Sequence, residues 1–360
     1  MRETHRSNNP PSTTILVVGG GVIGLSSALH MAAEFPQLRI IVCDAPTQPA
    51  AASRASAGML APYAEFEAQS RMFQLSSQSY DYFPAFLKNF QLDARLVECG
   101  ILIPVSEVNA KAAEENARIA AGHVTIKWLD KAAVHAAEPA LADGKCTRAL
   151  QIPGGVINPR HLHDAMIRRA ESQRIELRSE TVVAFEKENG RIVSAKLQGG
   201  ERITCDHVLL ASGAWSRSLG ELAGIELSMT PVKGQVACVA APDSFLRHII
   251  HAPDMYLAPR AGEGVIVGAT SEEKGFDESV SNEVSAQLIA IAAAYAPALR
   301  NFPIADSWCG FRPKLSNEEP LIDWQGENLL VATGHFRNGI LLAPITGRMI
   351  ADLLRQKLTP

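Results

Sequence analysis

The sequence predicts an α/β fold, α+β overall, in which a Rossmann-like nucleotide-binding domain is interrupted by a second domain with a mixed sheet. Three observations predict it. "TTILVVGGGVIGLSSALHMAAE" reads as strand, glycine turn and helix near one end of the 360 residues. "NLLVATGHFRNGILLAPITG" repeats that order near the other end. Between them, helix-spaced and strand-alternating stretches succeed one another.

Ile15 to Val18 is a short unbroken apolar run, as expected of a strand buried on both faces. Gly19, Gly21 and Gly24 follow in G-x-G-x-x-G spacing. The first permits a tight turn, the second lets backbone approach a pyrophosphate, and the third lets helix and strand pack closely. Leu25, Ala28, Leu29 and Ala32 share a helical face, and the helix N-terminus offers N–H groups and a positive dipole end. "RIIVCD" is the next strand and ends in Asp44, placed to accept hydrogen bonds from a ribose. A purely structural glycine turn would not require strand, helix, strand and acid in this order. The spacing does not distinguish FAD from NAD.

"AASRASAGMLAP", residues 51 to 62, is rich in Ala, Ser and Gly. It reads either as a flexible surface loop or as backbone lying flat against a ring system, with Ser53 and neighbouring N–H groups meeting phosphate oxygens.

Further along, "PRHLHDAMIRRAESQ" is a helix opening at Pro159, and "RIELRS" is a strand. "TVVAFEKENGRIVSAKLQGGERITCDHVLLASG" is an antiparallel meander turning at Asn189-Gly190 and Gly199-Gly200, with a return strand from His207 to Ala211. "SEVNAKAAEENARIAAG" and "NEVSAQLIAIAAAYA" are helical; "GQVACVAA", "MYLAPR" and "GVIVGAT" are strands. No internal repeat is seen.

Leu329 to Thr333 is another buried strand, broken by Gly334, and Gly339 opens a helix carrying Ile340, Leu341, Ile345, Met349, Ile350 and Leu353. Its N-terminus should face a ligand that gains negative charge. The alternative is an amphipathic surface helix, against which Arg337 counts, because a cation there opposes the dipole. With nucleotide-type anchors at both ends, the nucleotide domain must be discontinuous. The expected division is a disordered lead-in at 1–13, a nucleotide domain at 14–65, 145–225 and 310–360, and a substrate domain at 66–144 and 226–309.

Arg312 lies in the apolar "SWCGFRPKLS", where a cation is costly unless it meets an anion. That anion is either a substrate carboxylate, which suits its planar fork, or an internal acid such as Glu318 or Glu319. Tyr256 is a pocket residue or a half-buried strand aromatic. Arg260 reads as a surface residue. His161, His163, His248 and His251 have no metal-ligand partners and read as structural or exposed.

Composition narrows the rest. The hydrophobic fraction of 47% supports a sizeable core. Net charge is −4, which leaves no basic footprint for nucleic acid. No apolar run is long enough to span a membrane. Six cysteines without a C-x-x-C pair argue against zinc and for free thiols in a reducing cytoplasm. The N-terminus is not a signal peptide.

The glycine motif, "AGMLAP" and "GHFRNGILLAPITG" together resemble the D-amino-acid oxidase superfamily, with glycine oxidases the nearest group. "GGVINPRHLHDAM", "VLLASGAWS", "PVKGQ", "VGAT" and "WCGFRP" extend the resemblance from Thr14 to Leu354. It implies non-covalent FAD touching Val22, Ile23, Asp44, Ala45, Ala52, Ser53, Ala57, Gly58 and Met59, with Val183 meeting adenine through its backbone. It implies that His335, Phe336, Arg337, Asn338, Gly339, Ile340 and Leu341 line the flavin ring. Arg312 would clamp a substrate carboxylate, aided by Arg337 and Tyr256. The implied reaction is hydride transfer from the substrate Cα to flavin N5 with no protein acid or base, then reoxidation by oxygen to peroxide. Glycine or another small amino acid, N-substituted ones included, is the implied substrate, used in catabolism or in supplying an imine to thiamine biosynthesis.

Rival readings are a D-amino-acid dehydrogenase passing electrons to quinone, a sarcosine-like secondary-amine oxidase, and a flavin-binding protein without turnover. Some relatives attach flavin to a late cysteine; Cys309 falls one residue off that position. Where relatives carry a "TPD"-like loop this chain has "KLSNEEP", which bears on substrate choice. A homo-oligomer is compatible with the sequence.

Overall fold

The computed structural model describes residues 13–46, 50–64, 70–107, 109–122, 124–142 and 144–358. Apart from Thr13, the lead-in lies outside the described residues.

The nucleotide side is a six-stranded sheet in the order Leu321–Trp324, Leu329–Thr333, His207–Leu210, Thr14–Val18, Arg39–Asp44, Glu176–Ser179. All its pairs are parallel except the first. Val18 stands in register with both Cys43 and Leu210. The central strand therefore ends where the chain order reverses, the crevice in which such sheets bind ligands.

One face of this sheet is covered by the helices Val22–Glu34, Arg71–Asn89, Pro159–Ser172 and Gly339–Leu358. The sequence reading did not anticipate the second of them; Pro84 sits inside it and interrupts the expected pattern. Its start is capped by the Ser70 hydroxyl, which accepts from the Phe73 N–H at 3.1 Å. The first and last helices are tied by Ser26, whose hydroxyl donates to the Ala343 carbonyl at 2.7 Å. Ser79 donates to Leu341 at 2.6 Å. The other face packs against the meander Val182–Glu188, Arg191–Leu197 and Arg202–Thr204, with Leu16, Ile41 and Val208 meeting Val182, Ile192 and Leu197.

The second large sheet has eight strands. It runs from the edge strand Ile304–Leu315 through Met229–Val239, Gly264–Gly268, Tyr256–Arg260, Ile249–His251, Ile101–Pro104 and Ala149–Ile152 to Lys127–Leu129. It is mixed, with one parallel pair, Ile249–His251 against Ile101–Pro104. Ala149–Ile152 belongs to this sheet, and Ile304–Leu315 runs across residue 310, so sheet membership does not change at the same points as the division expected from the sequence.

Among the described residues no helix is long and apolar enough to cross a membrane, and no group of side chains could hold a metal ion. All six thiols are free.

Candidate functional site

The glycine turn is built as its spacing requires. Gly19 has φ +115°, and a β-carbon there would lie 2.4 Å from the Ala211 carbonyl oxygen. A β-carbon on Gly24 would lie 1.9 Å from the Gly19 carbonyl oxygen, so only glycine lets the helix start this close to the strand. At the helix N-terminus the Val22 N–H donates to the Ser53 hydroxyl at 3.0 Å. Asp44 accepts from the backbone N–H groups of Gly20 and Ala45, yet burial outweighs them and raises its pKa.

Beside this turn stand two residues the sequence reading did not place there. His163 is buried and lines the crevice. Its Nε2 donates to the Gly20 carbonyl at 2.8 Å, and its Nδ1 accepts from Arg54 Nη1 at 3.3 Å. Those partners fix one tautomer, and burial lowers its pKa, so the ring is neutral. Arg54 also pairs with Asp164. The signal for Arg54 was a single cation in an otherwise uncharged run of small residues. His161 is exposed, His248 half-buried, and His251 lines the crevice.

Segment 50–59 is held, not loose. The Phe311 N–H donates to the Ala50 carbonyl at 3.0 Å, and Ala52–Ala55 form one helical turn. Gly310 lets that turn lie against the edge strand, since a β-carbon on it would be 2.5 Å from Ala55 Cβ. The Trp308 indole N–H donates to the Ala55 carbonyl at 2.8 Å. Arg260 corrects the surface assignment: it is 4% exposed and donates to the carbonyls of Ser56 and Ala57 at 2.9 and 3.2 Å. Its strand pattern hid this, because the partners are backbone oxygens about 200 residues upstream in sequence.

The late turn presents backbone. Gly334 has φ +82°, and a β-carbon there would meet the Leu315 side chain at 2.4 Å. The Phe336 N–H donates to Pro313 and the Asn338 N–H to His335, after which Gly339–Leu358 begins. The His335 ring points into the core, where its Nε2 meets the Thr346 hydroxyl at 3.0 Å and burial brings its pKa down to about 3.

Farther along, Arg312 Nη1 donates to the Thr270 carbonyl at 3.0 Å. The acids weighed as its internal partners are engaged elsewhere: Glu318 with Lys314 at 3.0 Å and Glu319 with Arg71 at 3.5 Å. A β-carbon on Gly268 would meet the Tyr256 ring at 2.3 Å, so the phenol lies across that glycine. Arg337 is exposed, with its guanidinium carbon 5.1 Å from the Phe336 ring centre.

These turns and strands meet at one cavity of about 640 Å³. Gly19, Gly21, Val22, Ile23, Asp44 and Ala45 line one end of it. Ala52, Ser53, Ala57 and Met59 line the middle, and residues 335–340, Tyr256 and Arg312 the far end. Gly24, Gly58 and Leu341 do not line it. Gly58 turns the chain beneath Ile157, whose carbonyl oxygen would lie 1.8 Å from a β-carbon there, and Leu341 is core. Val182 lines the wall, whereas Val183 is 38% exposed. The pleat points the two neighbours to opposite faces.

A family model described as FAD dependent oxidoreductase matches residues 14–353. The chain is 34% identical to the bifunctional protein ThiO/ThiG of Trichormus variabilis over 96% of its own length and 53% of that protein's. It thus spans about half the length of that relative. It is 32% identical to glycine oxidase of Geobacillus kaustophilus, covering 96% of this chain and 93% of the relative. The crystal structure of glycine oxidase from Geobacillus kaustophilus superposes with a TM-score of 0.88, covering 96% of this chain and 95% of that one.

Proposed function

The chain belongs to the DAO family of FAD-dependent oxidoreductases, and from that premise we propose that it oxidises glycine or another small amino acid, N-substituted ones included. The cavity supports placing FAD in it: Gly19 and Gly24 tolerate no β-carbon, and the helix Val22–Glu34 directs its N-terminus at the wall. On this reading Gly19, Gly21, Val22, Asp44 and Ser53 hold the adenosine and pyrophosphate half. Ala57, Met59 and the backbone of residues 335–340 flank the ring half. Buried Cys309, whose thiol donates to the Glu278 carbonyl at 3.4 Å, does not line the cavity, which supports non-covalent binding.

FAD supplies, when bound, a two-electron acceptor for hydride from the substrate carbon. The protein's share is positioning. Arg312 holds the carboxylate, Tyr256 and Arg337 bound the same space, and no side chain is assigned as acid or base. The amino acid loses two electrons and two protons to become an imine, which water hydrolyses to a 2-oxo acid and ammonia or an amine. Oxygen takes the electrons and leaves as hydrogen peroxide.

The observation that carries this reading is Arg312 on the wall of the same cavity that Gly19, Gly21 and Val22 line. Anaerobic mixing of the holoenzyme with a panel of amino acids tests it. Glycine or a close analogue should bleach the flavin, and air should restore colour with one peroxide per turnover. A flavin that dithionite bleaches but no amino acid does would overturn the reading; slow recovery in air with fast recovery by quinone would overturn the oxidase half.

A further inference from the structure

Arg260 lies outside the cavity wall, directly behind segment 55–57. It is a buried cation in a place where a surface arginine would do for a strand end, and burial lowers its pKa. Its acidic partner among the described residues is shared: Glu263 stands 3.3 Å from Nη1 and also accepts from Asn158 Nδ2 at 2.5 Å. It also donates to the carbonyls of Ser56 and Ala57. Trp308, with its ring centre 5.7 Å from the guanidinium carbon, takes the preceding carbonyl, Ala55. Three consecutive carbonyls are thus drawn to one side by two side chains of the eight-stranded sheet.

In a trans peptide the C=O and N–H point opposite ways. Fixing the Ser56 carbonyl on Arg260 therefore turns the Ala57 N–H away from Arg260, toward the cavity that Ala57 lines. A donor held in place before the ligand arrives needs no reorganisation on binding.

We propose that Arg260 is a positioning residue, which orients the Ala57 peptide so that its N–H faces the FAD ring system, and thereby sets both cofactor affinity and the cofactor's reduction equilibrium. The proposal rests on the cavity holding FAD and not on which amine is oxidised, so its test uses no substrate and stands or falls apart from the reading above.

The test compares the wild type with Arg260→Met, of similar length and apolar, and Arg260→Lys, which keeps the charge but not the fork. FAD binding to apoprotein is followed by flavin fluorescence, and the bound cofactor is titrated against a reference dye. Arg260→Met should raise the FAD Kd about tenfold or more and move the dye equilibrium severalfold; Arg260→Lys should fall between. Wild-type Kd and dye equilibrium in Arg260→Met would overturn the proposal. If that variant fails to fold, wild-type values in Arg260→Lys would overturn it equally, and intermediate values would uphold it.

Discussion

The guanidinium of Arg312 rests on the backbone of Gly234: a β-carbon at that glycine would lie 2.3 Å from Nη2 and 2.5 Å from Cζ. Arg312 pairs with Val232 across the ladder, so Gly234 is its diagonal neighbour, within reach of a long side chain. The glycine in "PVKGQ" therefore sets where the Arg312 guanidinium can lie. Gly234→Ala should displace the guanidinium and raise KM for the amino acid about 10- to 100-fold, the range for one lost charge-assisted hydrogen bond. The FAD Kd should stay at the wild-type value; steady-state kinetics and fluorescence titration read the two separately.

Arg312→Lys keeps the charge and loses the planar fork. It should lower kcat/KM about 100-fold, and Arg312→Ala further, while both variants purify with bound flavin. Unchanged kinetics in either would remove Arg312 from the site.

Ser53 joins the nucleotide turn to segment 50–59 through the Val22 N–H. Ser53→Ala leaves that N–H without its oxygen and should cost about 1 kcal/mol of apoprotein stability, the usual worth of such a cap. Urea unfolding of apoprotein measures it. An unchanged midpoint would mean that water replaces the hydroxyl at no cost.

Acid should weaken the fold through two buried imidazoles. Burial holds His335 at about 3 and His30 at about 4, against 6.5 for the free side chain. Near His30, Arg348, Asp352 and Glu34 act more weakly than burial does. The unfolded chain therefore binds more protons than the native one below pH 6.5. The stability these histidines contribute is present above that pH and is lost as pH falls toward 4. Removing one such group, as in His30→Gln, should flatten the fall by up to about 1.4 kcal/mol per pH unit, read from unfolding midpoints between pH 7 and 4.

Local elements were legible because local physics sets them. The run Ile15–Val18, the glycines after it, Pro159 and the Asn189-Gly190 turn each specify their own backbone. The helix Arg71–Asn89 was not legible, since its stability comes from packing Phe83 and Phe86 under other helices despite Pro84. In the site, glycine positions could be read from spacing, but Arg260 and His163 could not. Their partners are backbone carbonyls brought near by the fold, and no side-chain pattern announces a carbonyl. Gly234 and Gly268 were likewise hidden, because each matters for a ring or fork that lies across it from another strand.

The bond from Ser26 to Ala343, and the lack of room for a side chain at Gly347 beside His30, stitch the earliest helix to the latest. On the ribosome, Val22–Glu34 emerges roughly tens of seconds before Gly339–Leu358 at ordinary elongation speeds. Through that interval Leu25 and Leu29 must wait without their eventual cover. A chain stopped short of Gly339–Leu358 would thus keep every glycine of the early turn and still lack one wall of the cavity, the one that Gly339 and Ile340 supply.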